Sequence, residues 1–302
     1  MTKITWTPAR RRAALIGAWL VATLLLVLCA RSIDWTRATE VMSTTRPGWI
    51  LVAILANAAI LPLMAGFWLA LRSAAEVRVA FARMFEIVSM ATAVMNTVPF
   101  GAGHASMVLL LIRRGDTSQR GALSVLALDQ LGEGIAKVAV FVLVLLLGPV
   151  PSWMRNGITT ATIFVALLAV AMIAASRWAK ELKVLKSWLR STTALACVVG
   201  TKVVEALAIV AVQRAFGVDV GMSGTLLVLA AVILGSMVPL TPGNVGTYET
   251  AVFVAYRYLG LAPEQALSLA LVQHIAFIIP SVGVGYLYVS AQTLARSAIA
   301  SR

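Results

Sequence analysis

Charge is what this chain has least of. Only 12% of its 302 residues are Asp, Glu, Lys or Arg, whereas a soluble globular domain carries about one quarter. Histidine and cysteine are scarcer still, two of each. His104 and His274 stand far apart, and Cys29 and Cys197 lie singly in apolar blocks, so no metal-ligand spacing exists and the cysteines read as packing residues. No nucleophile–base set, phosphate-binding lysine loop or dinucleotide fingerprint is present. The expectation is a protein that is not an enzyme and carries no cofactor and no metal.

What remains is apolar: 60% hydrophobic residues and a mean hydropathy of +0.92. These residues come in blocks of membrane-spanning length, which marks an all-α polytopic membrane protein. The formal net charge of +13 then reads as cytoplasmic loops meeting anionic lipid head groups, and not as a nucleic-acid surface. Membrane lipids are the expected partners, anionic at the cytoplasmic face. Arg10, Arg11 and Arg12 precede an apolar run without a small-residue cleavage site, so that run is expected to stay as a first helix.

Six blocks suit full crossings: Ala13–Ala30, Trp49–Leu71, Ala122–Leu147, Ile158–Ala175, Thr193–Val212 and Ala266–Ser290. Two others break off. Phe81–Val98 stops at Pro99-Phe100-Gly101-Ala102-Gly103, and only Ala105–Ile112 follows before Arg113 and Arg114. Thr225–Leu240 runs into VPLTPGNVGTYET (238–250), and only Ala251–Tyr256 follows. Eight helical residues rise about 12 Å, far short of a hydrocarbon core of about 30 Å. Each broken pair is therefore expected to be a re-entrant helical hairpin.

Charge placement fixes the sense. With both termini cytoplasmic and two hairpins, 17 of the 25 Lys and Arg fall inside, 6 outside, and Lys137 and Lys202 within spans, as the positive-inside rule requires. The first hairpin then enters from the cytoplasm and the second from outside. Pro99-Phe-Gly-Ala-Gly103 is similar to Pro242-Gly-Asn-Val-Gly246, and ALSVLALDQ (122–130) to ALSLALVQH (266–274). Span, hairpin, span thus occurs twice in opposite orientation, about 49–148 and about 193–290, within a single membrane domain over 1–302. Inverted repeats with broken helices are a transporter architecture.

Irregular backbone at bilayer depth is tolerated only where protein or water shelters its polar groups. Pro239 and Pro242 end the incoming half-helix, Gly243 and Gly246 permit the turn, and Thr247 is expected to cap the outgoing half-helix. Asn244, Tyr248 and Glu249 complete the motif, whose free amides suit a phosphate or carboxylate. The plainer alternative is a proline kink in a packed helix.

The pattern P-x-x-P-G-x-x-G-x-x-E, with an earlier P-x-x-x-G hairpin, resembles the lysylphosphatidylglycerol synthase transmembrane, flippase-like family, from about Leu51 to Val289. The resemblance implies a membrane region that moves a lipid between leaflets. Where the family's early motif is similar to P-G-R-A-G-E with a further arginine, this chain has Pro99, Phe100, Gly101, Ala102, Gly103, His104 and Met107. The family's arginines and glutamate are absent, which bears on the head group carried. The family's best-known members add a lipid-aminoacylating domain; none follows residue 302, so that activity is not expected here.

Ionisable residues inside spans are functional candidates by default. Asp129, Glu133 and Lys137 recur at spacing four on one helical face, and Lys202 and Glu205 pair at spacing three. Internal ion pairs that lock helices together are the competing account. His274 matches Gln130 in the repeat, and His104 stands beside the first turn as a hydrogen-bonding residue. The expected substrate path comprises Pro99, Gly101, Gly103, His104, Asp129, Glu133, Lys137, Lys202, Glu205, Pro239, Pro242, Gly243, Asn244, Gly246, Tyr248, Glu249, Gln273 and His274, with Glu249 sharing one polar cavity with Asp129 and Glu133. The leading reading is an inner-membrane (plasma-membrane) lipid transporter. A proton-coupled transporter or channel for a small hydrophilic solute is the alternative, and a membrane enzyme acting on lipid comes third.

Overall fold

The computed structural model describes Leu20, Val27 and residues 35–71, 79–98, 102–148, 150–177, 191–237 and 241–300. Most of the expected first span with Cys29, the tip residues Pro99, Gly101 and Pro239, and residues 178–190 lie outside the described residues.

Ten α-helices and one short 3-10 turn form the described chain, with no strand among the described residues. In order they are α1 (Trp35–Ser43), α2 (Pro47–Ala70), α3 (Phe81–Thr97), α4 (Ala102–Arg114), α5 (Gln119–Leu147), α6 (Ser152–Arg177), α7 (Thr192–Ala215), α8 (Gly221–Ser236), α9 (Thr247–Tyr258) and α10 (Pro263–Ala300). Local chemistry sets the starts. Ser118 and Ser191 accept the backbone N–H groups of Gly121 and Ala194 at 3.0 and 3.2 Å, and Pro47 sits in the first turn of α2.

Helices α2, α5, α7 and α10 are long and apolar enough to cross a membrane, and they coincide with four of the six expected crossings. A fifth lies within the 26-residue α6. The short arms are longer than hydropathy suggests: α4 has 13 residues and α9 has 12. Arg113 and Arg114, and Thr247 through Glu249, are polar yet helical, because backbone bonding continues past the apolar stretch. At about 20 and 18 Å both arms still fall short of a bilayer core.

The packing has a regular scheme. Helix α2 lies against α7; α3 touches α10, and α8 touches α5. Helices α3 and α4 pair, as do α8 and α9; α4 leans on α5, as α9 leans on α10. Helix α2 also meets α3 and α10, while α7 meets α8 and α5. Exchanging α2–α5 with α7–α10 maps these contacts onto one another.

Contacts also sort the helix ends into two groups. The start of α3, the end of α4 and the late part of α10 meet where Arg83, Arg114 and Gln292 all bond Glu86. At the other end the Arg46 N–H donates to the Ala215 carbonyl at 2.9 Å, and a Cβ at Gly148 would lie 3.6 Å from Ser223. Exposed Trp49, Trp153 and Tyr258 gather there. Lipid tails provide no hydrophobic drive between helices, so close approach through small residues matters. A Cβ on Gly66 would meet the Cys197 sulfur at 3.2 Å, which makes Cys197 the packing residue expected of it. A Cβ on Gly285 would lie 2.3 Å from the Ser89 carbonyl, so α10 and α3 touch backbone to backbone.

Candidate functional site

Between α8 and α9 the chain turns through three residues with positive φ: Gly243 at 61°, Asn244 at 58° and Gly246 at 88°. Thr241 Oγ1 donates to the Val245 carbonyl at 2.7 Å, and Thr247 Oγ1 to the Asn244 carbonyl at 3.0 Å. The cap of α9 is not Thr247, as expected from the sequence, but Glu249. Its Oε2 accepts the Gly246 N–H at 2.7 Å, because the third helical residue reaches back to the first free amide. One amide expected to face an external anion is therefore occupied by the chain's own carboxylate.

The other Glu249 oxygen meets His274 Nδ1 at 2.7 Å, and His274 Nε2 meets the Gly243 carbonyl at 2.8 Å. A carbonyl only accepts, so Nε2 carries a proton. The Nδ1–carboxylate contact then needs one more proton between them. Wherever that proton sits, the pair has no net charge. Both residues are buried, and the Tyr248 ring stacks on the imidazole at 4.2 Å and 11°.

From Tyr248 an uncharged chain of bonds runs through the second half. Gln273 Nε2 donates to Tyr248 Oη at 2.9 Å, and Tyr256 Oη donates to Gln273 Oε1 at 3.3 Å. Gln213 Nε2 donates to Tyr256 Oη at 3.2 Å, and Thr225 Oγ1 to Gln213 Oε1 at 3.0 Å. Helices α7, α8, α9 and α10 are thereby joined by one buried polar path. Tyr248, Gln273 and His274 were expected in the site; Gln213, Thr225 and Tyr256 were not, since isolated polar residues on apolar helices carry no pattern of their own.

The membrane-depth charges form a second group, on α5 and α7. Lys202 Nζ lies 2.9 Å from Glu205 and 3.2 Å from Glu133, and Lys137 lies 3.7 Å from Glu133. The two expected pairs thus merge into one network. Asp129 stands apart: it accepts from Trp68 Nε1 at 2.8 Å and from Gln130 at 3.1 Å. No hydrogen bond or ion pair among the described residues joins Glu249 to Asp129 or Glu133. The link between the two groups is packing alone: α4 leans on α5, and α8 touches both α5 and α7. His104 is half-buried on α4 and makes no hydrogen bond among the described residues.

The turn itself rests on the first hairpin. A Cβ at Gly243 would come within 2.9 Å of the Asn96 carbonyl, in the last turn of α3. The second turn therefore meets the end of α3. Gly103 serves the first hairpin likewise, since a Cβ there would fall 2.5 Å from the Met95 backbone. Far from the tips, Glu86 holds Arg83 at 2.7 Å, Arg114 at 2.5 Å and Gln292 at 2.6 Å. Sequence reading passed over Glu86, although its spacing of three from Arg83 was a signal of the same kind as Lys202 and Glu205.

A family model described as the lysylphosphatidylglycerol synthase TM region matches residues 14–285, and the chain belongs to that family of lipid-related membrane proteins. No curated protein matches the chain.

Proposed function

We propose that this family member moves an amphipathic lipid between bilayer leaflets, through an inverted repeat whose two re-entrant hairpins meet near the midplane. The observation that carries the reading is the meeting of the second turn with the end of α3, Gly243 against Asn96, with non-helical backbone at the junction. Such backbone survives at depth only where protein or a water-filled path shelters it. Along α10, His274 stands 18 residues, about 27 Å of rise, from Gln292 and 11 residues, about 17 Å, from Pro263, so the junction lies between the two ends of the helix.

The contact scheme supports the repeat, and the two groups of helix ends support opposite hairpins. Arg83 and Arg114 share an end, as a hairpin entered from the cytoplasm requires. Exposed Trp49, Trp153 and Tyr258 mark the opposite interface, where aromatic belts form. The 17-to-6 charge split favours cytoplasmic termini, and the plasma membrane is the setting we propose for this multi-pass chain.

Two measurements test this. With Cys29 and Cys197 replaced, a cysteine at exposed Asn156 should react with an impermeant thiol reagent in intact cells, and one at exposed Ser118 should not; labelling of Ser118 from outside overturns the topology. Purified protein in vesicles should let dithionite bleach more of a tail-labelled lipid than the outer leaflet holds. Bleaching equal to that of protein-free vesicles rejects lipid movement.

A further inference from the structure

Both hairpin tips are polar without being charged. Residues 92–107 and 238–248 contain no Lys, Arg, Asp or Glu, and Glu249 is neutralised by His274. The cations nearest in depth, Lys137 and Lys202, are held by Glu133 and Glu205. The first free amide of α9 is taken by Glu249. A phosphate arriving here would find no free fixed cation, and its desolvation would go uncompensated.

What the junction does present is neutral hydrogen-bonding groups. Asn96 and Thr97 end α3, with the Tyr286 hydroxyl of α10 donating to Thr97 Oγ1 at 3.2 Å. Asn244 and Thr247 come from the second tip. Asn244 makes no side-chain bond among the described residues, and its Oδ1 is a buried acceptor without a partner. A buried amide oxygen left unsatisfied is costly, and a native protein keeps few of them. Beside the junction α10 and the end of α3 present side chains outward. Tyr286, Leu287, Ile279 and Met95 are exposed, and a Cβ on Gly283, one turn from Tyr286, would meet nothing within 4 Å.

We infer that the tip junction is a head-group subsite for lipids with an uncharged, hydroxyl-rich head, a glycosyl head above all, with Asn244 Oδ1 accepting from a head-group hydroxyl. This deepens the transport reading and rests on it for the route, though not for the binding. A hydroxyl fits the orphan acceptor as a phosphate does not, since a phosphate only accepts. A head group that enters past Gly283, where a Cβ would meet nothing within 4 Å, keeps its acyl chains in lipid.

The test uses the full chain and two probes with the same labelled tail, a monoglucosyl diacylglycerol and a phosphatidylmethanol, whose head has a phosphate and no hydroxyl. Binding is read by native mass spectrometry, and movement by dithionite bleaching in vesicles. Asn244→Gly keeps the positive φ without strain and removes only the amide. Gly283→Leu fills open space on the helix without displacing a neighbour. The expected result is preferential binding of the glycolipid, weakened about three- to tenfold in Asn244→Gly, the worth of one neutral hydrogen bond. Gly283→Leu should bind less and stop movement while remaining folded. Equal or better binding of phosphatidylmethanol, or an Asn244→Gly protein indistinguishable from the parent, overturns the subsite and leaves Asn244 as a residue chosen for its backbone angle. Asn244-dependent glycolipid binding without movement keeps the subsite and rejects the transport reading. Equal movement of both probes does the reverse.

Discussion

The two halves of this protein share a packing scheme and differ in what holds them. Around the second hairpin the polar contacts are neutral: Thr225, Gln213, Tyr256, Gln273 and Tyr248 form one uncharged chain, and Glu249 and His274 cancel. Around the first, ion pairs predominate: Glu86 with two arginines at its base, and Glu133 midway with Lys137 of its own helix and, across the halves, Lys202 of α7. Burial differs in the same sense. Gln213, Gln273, Glu249 and His274 are all less than 5% exposed, whereas the side chains of Glu133 and Lys137 are 27% and 32% exposed. A buried neutral network is costly to break, because each orphaned group keeps its desolvation penalty. A partly exposed ion pair can exchange its partner for water at little cost. The second hairpin is thus built as a fixed frame, and the first is where rearrangement comes cheaply.

The largest effect expected from this contrast is at Glu249. Glu249→Leu strands His274 Nδ1 and the Gly246 amide together, and should cost about 2–6 kcal/mol, two buried groups orphaned at about 1–3 kcal/mol each. Asp129→Leu strands Trp68 and Gln130, neutral donors, and should cost about 1–3 kcal/mol. Thermal unfolding of the purified proteins in detergent measures both. An equal loss at the two sites erases the distinction between the halves.

Gly246→Leu comes next. At a φ of 88° a side chain costs of order 1–3 kcal/mol, so the protein should insert and fold with a lowered melting temperature. Transport should be lost, because the turn would shift off Asn96. A reconstituted Gly246→Leu protein moving lipid at the parent rate places the tip away from the path.

These residues show how far sequence carries. Four of the six expected crossings were legible because apolar blocks have a length that only a bilayer explains. The second turn was legible because two prolines and two glycines in such a block have no cheaper use. Glu249 and His274 were both singled out, and the aligned repeat put His274 among the partners considered. Asp129 and Glu133 were placed correctly on α5 but assigned one environment, whereas their neighbours differ. The Trp68 indole lies 61 residues from Asp129 in sequence, and no periodicity announces it. Capping by Glu249 instead of Thr247 escaped notice because both residues suit a helix start. Only the path of the backbone decides which one reaches the amide.

A smaller effect separates the two networks within the core. Tyr256→Phe removes one hydroxyl from the neutral chain and leaves Gln213 and Gln273 each short of a partner, about 1–2 kcal/mol. Lys202→Met leaves Glu133 with Lys137 but deprives Glu205 of its cation. Its effect should fall on the rate of lipid movement more than on stability, since the network joins α5 to α7, the helices against which α4 and α8 pack. If Lys202→Met alters melting alone and leaves the rate unchanged, the ion pairs only hold helices together.

The smallest effect is expected at the base of the first hairpin. Arg83 and Arg114 both bond Glu86, yet the Arg83 side chain is 51% exposed and the Arg114 side chain 22%. Solvent screens the first pair, and removing it leaves Glu86 still bonded to Arg114 and Gln292. Arg83→Ala should therefore cost about 0–1 kcal/mol, and less as salt rises. Arg114→Ala takes away the bonds that tie α4 to both α3 and α10, so its cost should be larger and less sensitive to salt. Melting temperatures at low and high ionic strength compare the two variants. If Arg83→Ala proves the more damaging, the base is held by its exposed pair, and the first hairpin is not anchored through Arg114 to α10.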